Sequence, residues 1–346
     1  MDFKRRIELC REIEEIRKRP LIVYATSKRV GVRASMSMDV LPFFMQQLDK
    51  LPKRAKSVDI LISSNGGDPM VSLRMASLLR ERVGQFSILV PHSAFSAATT
   101  LALGADEIVM HPNANLGPVD MQVRIHDGKR GPSSFSTEDI EAFVEFVRDN
   151  LGITDQEHLR TLFGELFRDV GPLGIGFSSR SSKLAQTLGE KLLSMNSKFE
   201  HDESRIKAII DGLSKGLYTH AYPLSRTEAK EMGLHVAQEN DPKLEDLIWK
   251  LWLTIEAEME ETSPTSPFYE LSKSPSINQL FDSKHPVDEL VSVDFKHAIA
   301  IIQSSRLAHT NIICGKVLAS RHKNLSINTN QVATLNEWQK VPIPRR

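Results

Sequence analysis

Ser96 stands where a strand-like run passes into a helix-like run of very small residues. Residues 90–100 read Val-Pro-His-Ser-Ala-Phe-Ser-Ala-Ala-Thr-Thr. A serine in the first turn of a helix gains from the helix dipole, which stabilises a developing alkoxide. This placement predicts that Ser96 is a catalytic nucleophile. The alternative is that its hydroxyl only caps the helix.

A pair of glycines, Gly66 and Gly67, follows an earlier strand-like run and precedes another helix. Because glycine has no β-carbon, paired glycines let the backbone turn sharply and bring N–H groups close to a ligand. An oxyanion hole is built from such donors. We expect Gly66 and Gly67 to form it together with Ala97, with the N–H groups of Gly67 and Ala97 pointing at the same oxygen. An ordinary turn is the alternative.

The elements around these residues alternate between strand and helix. Short apolar runs at 21–26, 58–64, 86–91 and 105–110 are interpreted as strands, with helical patterns over 39–51, from the glycine pair to residue 82, and over 96–104. This spacing indicates βαβ units and a mainly parallel sheet, and therefore an α/β fold. A helix over residues 2–19 precedes the first strand.

The regular alternation stops after residue 119. Residues 125–135 are interpreted as a loop, residues 171–176 as a flexible connection, and Ser225-Arg-Thr-Glu228 as a capping box. Further helices are predicted over 136–150, 155–169, 178–195, 201–214, 228–232 and 242–260. We therefore divide the chain into an N-terminal helix (1–20), a core (21–240) with a helical insertion at about 125–177, and a C-terminal helix and extension (241–346) of unassigned role.

Composition excludes several functional classes. The 346 residues carry 44 Lys and Arg against 44 Asp and Glu, so no overall field directs the chain to nucleic acid or to an anionic membrane. The two cysteines have neither metal-ligand spacing nor a disulfide framework, which favours a reducing cytoplasm. We expect no signal peptide, no membrane span, no metal and no cofactor.

Together these motifs resemble the Clp/crotonase superfamily, and in particular the serine dehydrogenase proteinase family, which is related to signal peptide peptidase A. The resembling blocks occur in order between about residues 15 and 240: 19–26, 61–67, 94–99, 102–110, 116–120 and 218–224, followed by 228–234. The resemblance implies a Clp/crotonase-like spiral of βαβ units and a homo-oligomer that acts on peptides or unfolded proteins. The chain departs from the family pattern at Ala98, where glycine is usual, and at Met121, where proline is usual.

The resemblance also bears on the general base. Clp peptidases place a histidine soon after the strand that follows the nucleophile helix, but residues 117–121 contain none. Signal peptide peptidase A and its relatives use a lysine at the start of a later helix, and the matching residue is Lys183. A desolvated lysine loses proton affinity and can act as a base. His220, in a loop before the capping box, is the rival base.

The prediction is therefore a cytoplasmic serine endopeptidase with a Ser96–Lys183 dyad and a backbone oxyanion hole. One alternative is a crotonase-like enzyme, in which the same hole would hold the enolate of an acyl-CoA thioester. The other is a non-catalytic oligomeric binding module that keeps the fold, because fold does not determine function.

Overall fold

The computed structural model describes residues 3–119, 123–127, 131–135, 137–199, 201–217, 219, 221–237, 241–275, 287–322, 324 and 326–343. The helices of this part are α1 (Phe3–Arg17), α2 (Leu41–Asp49), α3 (Pro69–Arg82), α4 (Ala97–Leu103), α5 (Thr137–Glu145), α6 (Gln156–Val170), α7 (Pro172–Leu193), α8 (Glu203–Lys215), α9 (Arg226–Glu231), α10 (Pro242–Met259) and α11 (Pro267–Ser272). Short 3₁₀ turns lie at Met38–Val40 and Ser197–Phe199, and a π-helical turn at Phe146–Asn150 extends α5.

The strands form one large sheet and two small ones. They are β1 (Leu21–Thr26), β2 (Ser57–Ser63), β3 (Gln85–Val90), β4 (Ser93–Ala94), β5 (Glu107–Met110), β6 (Asn115–Leu116), β7 (Val123–Asp127), β8 (Gly131–Phe135), β9 (Leu224–Ser225), β10 (Val287–Ser304), β11 (Ala308–Arg321) and β12 (Ile327–Val341). The large sheet has the order β12-β11-β10-β1-β2-β3-β5, and β4-β6-β9 form a second sheet. The pairs β1–β2, β2–β3 and β3–β5 are parallel, which confirms the predicted α/β core.

Both faces of the parallel strands are buried, which is why these strands are almost continuously apolar. On one face, Ile22, Ile60 and Ile88 pack with α2, α3 and α4. On the other face, Val23 and Leu61 pack with α1 and α10. The carboxyl ends of these strands therefore open onto the loops that carry the glycine pair and Ser96.

Two local predictions were wrong. Residues 125–127 and 131–135 are not a loop: Val123–Asp127 and Gly131–Phe135 are strands that pair antiparallel, and residues 128–130 lie outside the described residues. The alternation of Val123 and Ile125 with polar neighbours is the strand signal that the glycine, lysine and serine content obscured. Residues 172–176 are not a connection either, since α7 begins at Pro172. Proline suits the first turn of a helix, and packing overrides the low helix propensity of Gly174 and Gly176.

The C-terminal segment belongs to the central sheet. β10 pairs antiparallel with β1 in the register Tyr24↔Ile302, and β11 and β12 continue the sheet outward. Cys10 and Cys314 are both free thiols. No helix among the described residues is long and apolar enough to cross a membrane.

Candidate active site

Ser96 has a backbone conformation that is unusual for a residue with a side chain. It precedes α4 with φ 50° and ψ −116°, and its side chain makes no capping hydrogen bond. Its N–H donates to the carbonyl oxygen of Pro118 at 3.2 Å, and its own carbonyl oxygen accepts from Thr100 N at 2.8 Å. The hydroxyl is therefore not a helix cap. Within the described residues Ser96 Oγ has no hydrogen-bond partner, and the side chain is half-buried.

The turn at Ser96 is held against the end of β2. Ser64 N donates to the carbonyl oxygen of Ser93 at 3.1 Å, and Phe95 N donates to the carbonyl oxygen of Ser64 at 2.9 Å. These two bonds form an isolated parallel bridge between Ser64 and Ala94. A non-glycine residue at positive φ is strained, and such strain persists only where the surroundings impose it. The bridge supplies this constraint directly before Ser96.

Gly66 lies directly behind Ser96. Its φ is +93°, and a β-carbon at this position would lie 2.8 Å from Ser96 Cβ and 2.9 Å from Ala97 N. Only glycine fits such a contact without displacing the turn. The Gly66 N–H is already engaged, because it donates to Ser64 Oγ at 3.0 Å. This bond corrects the expectation that Gly66 is an oxyanion donor: in this conformation Gly66 provides close approach rather than an N–H group.

Gly67 has an N–H that the neighbouring backbone does not use. Met36 pairs with Gly67 in an isolated parallel bridge. The bonds of this bridge run from Met36 N to the carbonyl oxygen of Gly66 at 2.8 Å and from Asp68 N to the carbonyl oxygen of Met36 at 2.9 Å. Among the described residues no group accepts from Gly67 N, and Gly67 is exposed. Its N–H is therefore available to a ligand.

Ala97 N is the second available donor beside Ser96. Ala97 is the first residue of α4, and the first N–H groups of a helix have no acceptor within the helix. Nothing in the described part of the chain accepts from it. Ala98, which stands where the family pattern usually has glycine, is fully buried, and its methyl group is part of the hydrophobic core.

The two candidate bases have different outcomes. Lys183 is the twelfth residue of α7 rather than a first-turn residue, and its side chain is exposed. It forms neither a hydrogen bond nor an ion pair with Ser96 in this conformation. The expectation of a desolvated lysine at the start of its helix is therefore not met in this conformation, because the helix begins earlier, at Pro172, and buries Ser182 and Ala185 instead. His220 lies outside the described residues.

A different lysine, Lys28, lies two residues after β1 with most of its side chain buried, and sequence reasoning missed it. Its Nζ lies 3.0 Å from each of three atoms, Ser63 Oγ, Ser93 Oγ and His92 Nδ1. Burial lowers the pKa of Lys28, while the nearby carboxylate of Glu261 opposes that shift. The pKa of His92 falls to about 4, first because of burial and then because of Lys28. The signal in the sequence that could have identified Lys28 is its position two residues after the apolar run 21–26.

Among the residues that the structure describes, no three His, Cys, Asp or Glu side chains are grouped so that they could hold a metal ion. The N–H groups of Gly67 and Ala97 lie beside the Ser96 hydroxyl, which makes no capping hydrogen bond. Such donors can stabilise a negatively charged oxygen that forms next to a nucleophile.

Comparisons with known proteins bear on the segment that carries these residues. Residues 39–129, which hold the glycine pair, Ser96 and α4, match the family model described as ClpP-like SDH-type serine proteinase. Two relatives are uncharacterized proteins of Methanocaldococcus jannaschii. MJ1495 is 26% identical over 251 residues, covering 70% of this chain and 75% of that protein. MJ0137 is 29% identical over 181 residues, covering 52% of this chain and 54% of that protein.

Two solved structures are more distantly similar. The ClpP protease catalytic domain from Plasmodium falciparum is 12% identical with a TM-score of 0.34, covering 70% of this chain and 96% of that one. A probable enoyl-CoA hydratase/isomerase from Mycobacterium abscessus is 17% identical with a TM-score of 0.19, covering 76% of this chain and 94% of that one. Over residues 39–129, this chain is similar to the ClpP-like SDH-type serine proteinases.

Proposed function

We propose that this chain is a serine peptidase in which Ser96 attacks the carbonyl carbon of a peptide substrate. The observation that carries the proposal is the backbone of Ser96, which is held at φ 50° with an uncapped hydroxyl. Strained backbone of this kind clusters at functional sites, where it aims a side chain. The similarity of residues 39–129 to a family of serine proteinases supports a peptide bond as the target.

The proposed reaction has two stages. Ser96 Oγ forms a bond to the carbonyl carbon while a base takes its proton, and the N–H groups of Gly67 and Ala97 donate to the carbonyl oxygen as it becomes negative. The C–N bond then breaks as the proton passes to the leaving amine. Water hydrolyses the resulting ester and returns a proton to Ser96.

We propose Lys183 as the base and His220 as its rival. Support for Lys183 comes from the family resemblance. In addition, α7 packs beside α4, with Leu192 lying against Gly104 at the C-terminal end of α4. Because the Lys183 side chain is exposed here, this proposal requires the side chain to turn toward Ser96 when substrate binds.

The acyl-CoA alternative has less support. It needs a carboxylate that can exchange a proton at the oxyanion site, and Asp68 is the carboxylate nearest to the glycine pair in sequence. Asp68 instead caps α3, accepting from Met70 N at 2.8 Å. The binding-module alternative predicts no covalent chemistry at Ser96, so one experiment addresses both alternatives.

We also propose that the protein acts as a homo-oligomer. Large apolar side chains are exposed on the helices after β8, among them Leu173 at 87% and Phe177 at 50% of their full accessible area. Contiguous exposed apolar surface favours association. Light scattering at micromolar concentration should give a multiple of the monomer mass of 38.9 kDa; a monomer mass would contradict this proposal.

The test of the peptidase is covalent capture. A fluorophosphonate probe should add to wild-type protein once per chain, and peptide mapping should place the adduct on Ser96. Ser96→Ala should abolish both labelling and hydrolysis of a denatured protein substrate, whereas Ser35→Ala, at an exposed serine of the loop that holds Met36, should alter neither. Labelling that persists in Ser96→Ala, or its absence from the wild type, would refute Ser96 as the nucleophile.

A further inference from the structure

Lys28 is a buried cation that links the two chain segments on which the site is built. It follows β1, and its ammonium group lies 3.0 Å from Ser63 Oγ and 3.0 Å from Ser93 Oγ. Ser63 is the last residue of β2, directly before the turn of the glycine pair. Ser93 begins β4, three residues before Ser96. One side chain therefore fastens the oxyanion segment to the nucleophile segment.

The backbone continues this link toward the reacting atoms. Next to Ser63, Ser64 forms the bridge to Ala94 and accepts the Gly66 N–H on its hydroxyl. Thr26 Oγ1 lies 2.6 Å from the same Ser64 hydroxyl, so the end of β1 is tied in as well. A displacement at Ser63 or Ser93 would move Gly67 relative to Ser96. An oxyanion hole requires a well-defined distance between the Gly67 N–H and Ser96 Oγ, and such a displacement would change that distance.

The surroundings of Lys28 are built for a cation. Its side chain is 12% exposed, and the Glu261 carboxylate, 10% exposed, lies 3.7 Å away. The ring of Trp252 lies 5.4 Å from Nζ, and His92 stacks on that ring. Burying an ammonium group is costly unless its hydrogen bonds and charge are compensated. Here the three hydrogen-bond acceptors, the Glu261 carboxylate and the Trp252 ring supply that compensation. None of these groups takes part directly in the proposed reaction.

We infer that Lys28 is a positioning residue that holds the Gly67 donor and the Ser96 nucleophile in their reactive separation. This inference rests on the proposed function of Ser96. Ser63 and Ser93 are 2% and 4% exposed, so Lys28 does not activate either hydroxyl toward a substrate. Its effect reaches the reaction through the two segments that it joins.

The test replaces Lys28 with methionine in a Glu261→Gln background, so that no buried carboxylate is left without its cation. Glu261→Gln alone is the reference. The matched control is Arg17→Met in an Asp59→Asn background, which removes another largely buried cation, the last residue of α1, together with its buried carboxylate partner. Asp59→Asn alone is its reference. Arg17 bonds Asp59 at 2.8 Å and Glu107 at 2.7 Å, toward the amino ends of β2 and β5 and away from Ser96. Ser63→Ala serves as a second, milder test variant.

Two measurements are made on each variant. The first is the rate constant for fluorophosphonate labelling, measured under conditions where circular dichroism shows the chain folded. We expect the Lys28 variant to be slower than its reference by about 10- to 100-fold. Ser63→Ala should be slower than the wild type by a smaller factor, and the Arg17→Met variant should match its own reference. The second is amide hydrogen exchange of residues 64–67 and 93–97, which should accelerate in the Lys28 variant and not in Arg17→Met.

The outcomes separate the two proposals. Labelling and local exchange unchanged by Lys28→Met would overturn the positioning role, and so would equal losses in the Lys28 and Arg17 variants. If even the wild type resists the probe, the proposed function fails, and hydrogen exchange still decides whether Lys28 holds the two segments together.

Discussion

Gly66 and Ser96 are in direct contact across the turn that carries the candidate nucleophile. A β-carbon on Gly66 would lie 2.8 Å from Ser96 Cβ and 2.6 Å from the carbonyl oxygen of Phe95. Real β-carbons do not approach other atoms so closely. The absence of a side chain at Gly66 is therefore what allows Ser96 to keep its position.

Gly66→Ala should destabilise the chain more than Gly84→Ala. Both glycines have positive φ, +93° and +80°, but a β-carbon on Gly84 would meet nothing within 4 Å. Gly84→Ala therefore measures the backbone cost alone, about 1 kcal/mol. Gly66→Ala adds the collision with Ser96, for a total of about 2 to 4 kcal/mol. Urea unfolding of both variants makes the comparison, and equal losses would contradict the contact.

Ser96→Gly should be more stable than Ser96→Ala. Alanine keeps the strained φ of 50°, whereas glycine adopts it readily. We expect a difference of about 1 kcal/mol in the free energy of unfolding, seen as a higher melting temperature for the glycine variant. Neither variant has the nucleophile, so the comparison isolates strain from chemistry. A lower melting temperature for Ser96→Gly would show that the turn is not strained.

Lys183→Met should lower hydrolysis far more than Lys191→Met. Both lysines are exposed on α7, so the pair controls for loss of a surface charge. Removing a general base costs about 10²- to 10⁴-fold in rate, while the loss at Lys191 should stay within experimental error. Initial rates on a denatured protein substrate provide the measurement. If His220→Gln abolishes hydrolysis and Lys183→Met does not, the base is His220.

Glu228→Gln should reduce the change in the free energy of unfolding between pH 6 and pH 2. Hydrogen bonds from Ser225 and Tyr222 lower the pKa of Glu228 to about 2 from its ordinary value of 4.5. Because the folded pKa is depressed, this stabilisation is complete above about pH 4.5 and is lost as the pH falls toward 2. The glutamine variant should therefore be less stable than wild type at pH 6, and the difference should vanish near pH 2.

Urea midpoints between pH 2 and pH 6 would test this, with Glu231→Gln on the same helix as the control. Glu231 is exposed and stands outside the capping box. A pH-independent gap between Glu228→Gln and wild type would show that the ionised carboxylate of Glu228 does not stabilise the cap.

The local signals in the sequence determined the parallel core and the position of Ser96. Buried β-branched strands, small residues in α4 and the Ser225–Glu228 capping box are properties of neighbouring residues, and the structure has each where it was predicted. The turn at Gly66 and Gly67 could also be predicted from the sequence, because a backbone with positive φ favours glycine whatever residues surround it. Such features depend on backbone sterics and hydrophobic periodicity over a few residues.

Only the tertiary structure decided which groups meet. Met36 pairs with the glycine turn through the Gly66 carbonyl oxygen and Asp68 N, and this pairing leaves the Gly67 N–H without an acceptor among the described residues. The exposure of Lys183 follows from where α7 starts and which of its faces packs. The burial of Lys28 between Ser63, Ser93 and Glu261 joins segments more than 200 residues apart in sequence. Such long-range contacts depend on how whole helices and strands pack against one another. They cannot be inferred from the few residues that flank a position in the sequence.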